Sequence, residues 1–586
     1  MADRDDRTDK PEKIWIFERE SPRNAAEGRS RDSEAALGPR YSRRDVLKRA
    51  GAFGAAAGLA GILAACGGGG DEAAAPPPAE PAPAEPPPAQ SEPAAEPAPP
   101  ATTGAAEDIK RGGRLRVGHV GGGDAEGFNP ALGSTFIDAS RFYNVYDPLT
   151  RVNPDFSYSP ALALEWTPNA DSTEWEIKLR PDVVWHDGKP FTADDVIYTM
   201  NLMGDKGHIS HASVANVRLG EISKVDDLTL VVPLKSSNAR LIDSFVQQNT
   251  VIVQDGSTDY TNPIGTGPFK FQEFSVGQRS LCVRNENYWE EGKPYVDEWE
   301  DISIDDETAR LNALLAGEID MMSQLSFTQA RAQQDSGEVQ VIDAPSPAVQ
   351  VILMAVDIAP FDDPLVRQAF RLIPDRQALV DGALQGFGSV GNDLVGAGLP
   401  FFSDLPAREQ DLEQAKALLA QAGKENLEVT LHTSDIVPGF VEAATLFAEM
   451  AKGAGVTVNV KKEAANAYFD TNKLYTHVDF GQSFWTVSSV GLWYEQALLS
   501  DAVWNETHWK DPEFDALIRQ AQGAPDEATA TDLWNQVQQI QYDEGGYIVW
   551  ANPSIVDAAA QYVKGIVPSA FFNLGGWNYR DVWLDT

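Results

Sequence analysis

The chain has almost no cysteine, two in 586 residues, so no disulfide framework can hold it together. Cationic side chains are also scarce, 47 Lys and Arg against 87 Asp and Glu. The first 65 residues hold 13 of those cations and 11 of the acids, which leaves 34 against 76 in the remainder, near −42. Such a surface repels phosphates, which argues against a nucleic-acid partner and against docking on anionic lipid. Its simplest role is a solvated, soluble exterior; a cationic solute is a weaker expectation. No run beyond residue 65 approaches 18 apolar residues, so no membrane span is expected there. GxSxG, HExxH and CxxC do not occur, and there is no P-loop, so the usual catalytic signatures are missing and no cofactor is expected.

What is present begins with Tyr41–Gly70. Ser42-Arg43-Arg44-Asp45-Val46-Leu47 resembles a twin-arginine export motif. The uncharged run Ala50–Ala65 follows, 16 residues mostly of Ala and Gly. It is too short and too weakly apolar to stay across a bilayer core of about 30 Å. Leu63-Ala64-Ala65-Cys66 looks like a lipobox, after which Cys66 would be the N-terminal, lipid-modified residue. Residues 1–65 are therefore read as a twin-arginine-type lipoprotein signal and 66–111 as a lipid-anchored linker. Within the linker, Asp71–Glu107 is nearly all Ala, Pro and Glu and cannot bury a core. In polyproline II form, at about 3.1 Å per residue, it reaches on the order of 100 Å. The protein is expected outside the cytoplasm, at the cell surface or in the periplasm.

From Gly112 onward strand-like and helix-like stretches alternate, which argues for α/β architecture. Arg114–His119, Trp175–Leu179, Leu228–Pro233, Val251–Val253 and Val349–Met354 read as strands. Thr192, with Asp195 in a capping-box position, opens a helix. Asp363–Leu372, Leu412–Ala422 and Gly439–Gly453 are helical, and Tyr547–Trp550 is a late strand.

Nine pieces in order carry a family likeness. They are Tyr146-Asp-Pro-Leu-Thr150, Pro160–Trp166, Trp175–Asp182, Trp185-His-Asp-Gly-Lys-Pro-Phe-Thr-Ala-Asp-Asp-Val196, Gly265-Thr-Gly-Pro-Phe269, Arg284–Trp289, Leu311–Asp320, Asp363–Phe370 and Asp511–Asp515. Together they resemble the family 5 extracellular solute-binding proteins of ABC importers, the dipeptide, oligopeptide and nickel-binding group. The resemblance implies a two-lobed periplasmic-binding-protein-like fold with a hinge. Lobe I would be 112–345 plus 547–586, with an extra subdomain at 150–259, and lobe II would be 346–546. It further implies capture of a solute, an oligopeptide by default, and delivery by a monomeric, non-enzymatic protein to the membrane permease of an ABC transporter. A secreted, anchored hydrolase and a solute receptor serving a sensor are the other readings.

Candidate ligand-binding residues fall in two places. Phe128 and Asn129 follow the first strand, where a loop at a strand's carboxyl end can face a crevice, or can simply turn. Phe484, Trp485, Trp493, Tyr494 and Trp504 form the densest aromatic cluster, suited to a cleft wall or to a core. In peptide-binding relatives the stretch after a tryptophan like Trp485 supplies an aspartate for the ligand's α-amino group. Here Thr486–Trp493 has no carboxylate, and Glu495 is the first that could substitute. Other motifs carry less. His208 and His211 have metal-compatible spacing, which is a weak signal for a metal by itself. Gly386–Gly391 matches GxGxxG without a preceding strand. His186-Asp187 reads as a turn, Arg367 and Arg371 as structural ion-pair partners, and Cys282 as a small buried hydrophobe.

Overall fold

The computed structural model describes residues 109–586 except 122, 124–125, 134, 155, 465–467, 470–477, 503 and 525. The expected signal at 1–65, the expected lipidation site Cys66 and the expected linker up to residue 108 lie outside the described residues. No helix among the described residues is long and apolar enough to cross a membrane.

Two mixed sheets organise the chain. The first has seven strands in the order Val339–Ala344, Ile555–Ala560, Met321–Met322, Arg114–His119, Glu298–Ser303, Arg279–Arg284 and Phe269–Ser275. The alternation of Arg114–His119 puts Leu115 and Val117 into a core shared with Trp299 and Met321. The second has six strands in the order Gly388–Val390, Tyr547–Pro553, Val349–Met354, Phe480–Trp485, Glu428–Thr433 and Thr457–Lys462. Val349–Met354 is buried at every residue because both faces of this sheet are covered. Val351 and Leu353 pack on the Trp493 and Trp534 side, and Ile352 and Met354 on the Phe370 and Phe447 side.

The chain passes between the two sheets twice, from Ala344 to Val349 and at Ser554, between Pro553 and Ile555. Asn552 Nδ2 donates to the carbonyl of Ala348 at 3.0 Å, so the two passages are tied together. The expected return to the first lobe at about 547 falls later in the structure. Tyr547–Pro553 pairs antiparallel with Val349–Met354, in the second sheet. A strand apolar on both faces shows that it is interior, not which of two sheets it joins.

Within the expected subdomain region, a four-stranded antiparallel sheet orders Ala163–Pro168, Glu174–Leu179, Thr229–Pro233 and Ser223–Asp226. It has its own core around Trp175, Trp185, Leu230 and Val232. Helix Ala193–Met203 begins as its capping box predicts, with Thr192 N donating to Asp195 Oδ2 at 2.8 Å. Val251–Val253 is not a strand. Its amides bond outside any ladder, Ile252 to Asp147 O and Val253 to Thr199 Oγ1.

His186 joins the subdomain to the Gly265-Thr-Gly-Pro-Phe269 turn. Its Nε2 lies 3.0 Å from Gly267 O, while Nδ1 accepts from Gly265 N at 3.2 Å. Burial holds its pKa down to about 4. The glycines of that turn are required by close approach: a Cβ on Gly265 would stand 1.7 Å from Val145 O.

Candidate solute cleft

Trp485 ends the strand Phe480–Trp485 and stands opposite Val349, where the chain enters the second sheet. Tyr547–Pro553 leaves the sheet at the same edge. The edge bearing Phe484 and Trp485 is therefore the one turned toward the first lobe, at the carboxyl ends of Phe480–Trp485 and Glu428–Thr433. The strand Arg114–His119 likewise runs toward the passages, so its carboxyl end lies on the side of the second lobe.

The aromatic cluster divides once it is folded. Phe484 is 42 % exposed and Trp504 41 %, and Trp485 is half-buried, so these three present ring surface. Trp493 is buried, its ring edge-on to Trp485 at 6.1 Å and to Tyr494 at 5.0 Å. Tyr494 is fully buried against Phe514 and Trp534, with its hydroxyl donated to Gln541 Oε1. Trp493 and Tyr494 therefore belong to the core of the second lobe, not to a cleft wall. The cause is helical spacing: Val490–Ala497 is a helix whose inner face carries both rings.

Beneath Trp485 lies a carboxylate that its sequence position does not reveal. Glu506 is fully buried, and its Oε1 accepts from Trp485 Nε1 at 3.0 Å and from Tyr547 Oη at 2.9 Å. It is 21 residues from Trp485, and no spacing rule connects them. Glu495 is exposed, accepts from Gln522 Nε2 at 3.3 Å, and lines an interlobe cavity.

That cavity, about 370 Å³, lies between the four-stranded subdomain and the second lobe. Phe156, Tyr158 and Arg240 line it from the subdomain, and Phe401, Ser488, Ser489 and Glu495 from the second lobe. The Arg240 guanidinium lies over Phe401 at 5.3 Å, a contact between lobes.

The first-strand loop does not join this site. Phe128 is buried, edge-on to Phe271 and Phe274 at 5.4 and 5.5 Å, and is a core residue. Asn129 closes a turn, its Oδ1 accepting from Ala131 N at 3.0 Å. It borders a separate hollow of about 400 Å³ beside Leu202, His208 and Val251. A loop after a strand can fold back into its own lobe, and here apolar Phe128 draws it inward.

The weaker motifs have structural explanations. His208 Nδ1 accepts from Ser210 N at 3.0 Å. Among the described residues no group of three or more His, Cys, Asp or Glu is placed to hold a metal. A Cβ on Gly391 would meet Val549 O at 2.3 Å, which accounts for one glycine of the GxGxxG match by packing. Arg367 and Arg371 bind backbone carbonyls rather than carboxylates: Glu544 O and Phe361 O for the first, Tyr542 O and Asp543 O for the second. They close the carboxyl end of helix Glu527–Glu544. Cys282 is buried, and burial pushes its thiol pKa up.

The model of the bacterial extracellular solute-binding proteins, family 5, matches residues 157–535. The chain belongs to this family. Among curated relatives, the heme-binding protein A of Haemophilus influenzae is 26 % identical over 486 residues, 76 % of this chain and 88 % of that protein. The dipeptide-binding protein of Escherichia coli is 26 % identical over 516 residues, 79 % of this chain and 93 % of that protein. Among solved structures, the ABC transporter substrate-binding protein CtaP of Listeria monocytogenes superposes with a TM-score of 0.71 at 23 % identity, over 81 % of this chain and all of that one. This family 5 protein thus has the two-lobed α/β fold of its relatives.

Proposed function

We propose that this family 5 protein is a lipid-anchored, extracytoplasmic receptor that captures an oligopeptide between its lobes and hands it to an ABC permease. Capture is its whole task; the energy of import is spent elsewhere. The observation that carries the reading is the placement of Phe484 and Trp485, exposed and half-buried, on the edge of the second lobe beside the two chain passages. Rings there can stack on a solute held between the lobes, and a solute touching both lobes favours the closed state. The export motif, the lipobox at Cys66 and the Ala/Pro/Glu linker support a tethered protein outside the cytoplasm. The dipeptide-binding relative supports a peptide as the solute.

The test is a thermal-shift series on soluble chain beginning after Cys66, unfolded and refolded to strip bound solute. The panel holds peptides of two to six residues, their N-acetylated forms, heme, oligosaccharides, polyamines and nickel with chelators. Selective binding raises the melting temperature. A rise with free peptides, lost on acetylation, supports an amino-group site and makes Glu495 the next residue to change. A rise with another class alone discards the peptide and keeps the receptor. Turnover of a solute by the purified protein would overturn both.

A further inference from the structure

We propose that Phe387 is a positioning residue for lobe closure: it reaches from the second lobe into the core of the first and holds their movement to one axis. The proposal needs the two-lobed fold and is independent of the solute.

The backbone passes between the two sheets twice, and beside those passages a side chain crosses as well. Leu384 is buried in the core of the second lobe, in the cluster that holds Phe370 and Phe447. Three residues later, Phe387 is 2 % exposed within the core of the first lobe. Its ring stacks on Phe327, the first residue of helix Phe327–Ser336, with centroids 6.1 Å apart and planes 15° from parallel. Phe327 in turn packs against both cores. Arg331, one helical turn on, holds its guanidinium 5.4 Å from the centre of the Phe387 ring and donates to Gln385 O at 2.5 Å.

The backbone is shaped for this excursion. Gln385, Gly386 and Gly388 have φ of 54°, 82° and 153°, so the chain leaves the second lobe and returns to its sheet within four residues. Left-handed backbone is unfavourable for a glutamine and persists only where its surroundings impose it. A Cβ on Gly386 would stand 3.0 Å from Arg331 Nη2, and one on Gly388 would stand 2.7 Å from Asn552 O. Two glycines of the Gly386–Gly391 match thus serve the insertion of the ring between them.

Its position makes the ring a pivot. Phe387 O accepts from Ser554 N at 3.2 Å and Gly388 pairs with Pro553, so the residue lies beside the second passage. Asn552 ties the first passage to the same place through Ala348 O. Leu325 N donates to Val556 O at 2.9 Å, which brings the start of the Phe327 helix to that end of the first sheet. Atoms on a rotation axis move least, so the ring stays seated while the lobes turn. Two single runs of backbone can twist as well as bend. A ring packed in the other lobe's interior resists sideways slip, because displacing it opens a void in a close-packed core. Rolling about Phe387 is the movement that remains.

The experiment is double electron–electron resonance on the chain beginning after Cys66, stripped of solute. Spin labels are placed at Glu273→Cys in the first lobe and Lys416→Cys in the second, both exposed, while the native Cys282 is buried. Without substitution at the pivot, one narrow distance distribution is expected. Phe387→Ala is expected to broaden it about twofold or more. Phe327→Ala removes the ring on which Phe387 stacks and is expected to broaden it likewise. Phe327 is only half-buried, so this variant decides the matter if Phe387→Ala does not fold. Leu115→Ala, in the same core but near the amino end of the strand Arg114–His119, is expected to lower the melting temperature without broadening. A folded Phe387→Ala or Phe327→Ala with the original width overturns the inference, and so does equal broadening by Leu115→Ala. Each of these outcomes leaves the solute reading where it stands.

Discussion

Trp485 donates its indole N–H to Glu506 Oε1 at 3.0 Å, across 21 residues of sequence, and so a half-exposed ring is fixed by a fully buried carboxylate. Trp485→Phe keeps a ring and deletes that bond. A hydrogen bond to a charged group contributes about 1.5–3 kcal/mol, so the variant is expected to lose roughly 2 kcal/mol of stability in denaturant titration. Trp485→Ala also removes stacking surface and is expected to weaken solute binding by a few kcal/mol or less. Unchanged affinity in the alanine variant would remove Trp485 from the cleft.

Cys66→Ala tests the anchor. Membrane fractions of cells expressing the wild type are expected to hold the protein, and mass spectrometry of its N-terminus to show an acylated Cys66. The variant is expected in those fractions only as an uncleaved precursor. A wild-type N-terminus other than Cys66 rejects the lipobox.

Acid is expected to loosen the subdomain through His186. Its folded pKa, about 4, lies below the ordinary value of 6.5, so the folded state disfavours the proton. The stability this neutral imidazole contributes is complete above pH 6.5 and is lost as pH falls toward 4. The loss is on the order of 3 kcal/mol, and His186→Gln is expected to flatten the slope of stability against pH in that window. An equal slope in both proteins refutes the assignment.

Two glycine substitutions separate packing from backbone conformation. Gly265→Ala drives a methyl to 1.7 Å from Val145 O and is expected to cost about 3 kcal/mol or more, or to prevent folding. Gly188, at φ +85°, has nothing within 4 Å of its virtual Cβ. Gly188→Ala is expected to cost only about 1–2 kcal/mol, since conformation alone opposes it. Similar melting temperatures for the two variants contradict this ranking.

Gln482 is an internal liability. It is buried, and among the described residues neither its amide oxygen nor its nitrogen has a hydrogen-bond partner. Gln482→Leu is expected to raise stability by about 1 kcal/mol, because the unmet polar groups disappear at nearly constant volume. A lower denaturation midpoint in the variant shows instead that the amide is satisfied in solution.

Local signals were legible where local physics decides. The cap at Thr192 and Asp195, the helix opening at Asp363-Pro364 and the all-apolar Val349–Met354 stand where their residues place them. Periodicity could not say which of Phe484, Trp485, Trp493 and Tyr494 faces a solute. The same rings suit a core or a cleft, and only the chain's turn from strand into helix after Trp485 separates them. Phe128 failed for the same reason.

The order of family pieces, the α/β alternation and the resemblance of 42–66 to export and lipid signals are read from the sequence alone, because each rests on residues close together or on their order. The membership of Tyr547–Pro553, the Glu506 partner of Trp485 and the cavity between Phe156 and Phe401 were decided by tertiary structure. Each joins residues far apart in the chain, and no short-range preference of backbone or side chain encodes such a meeting.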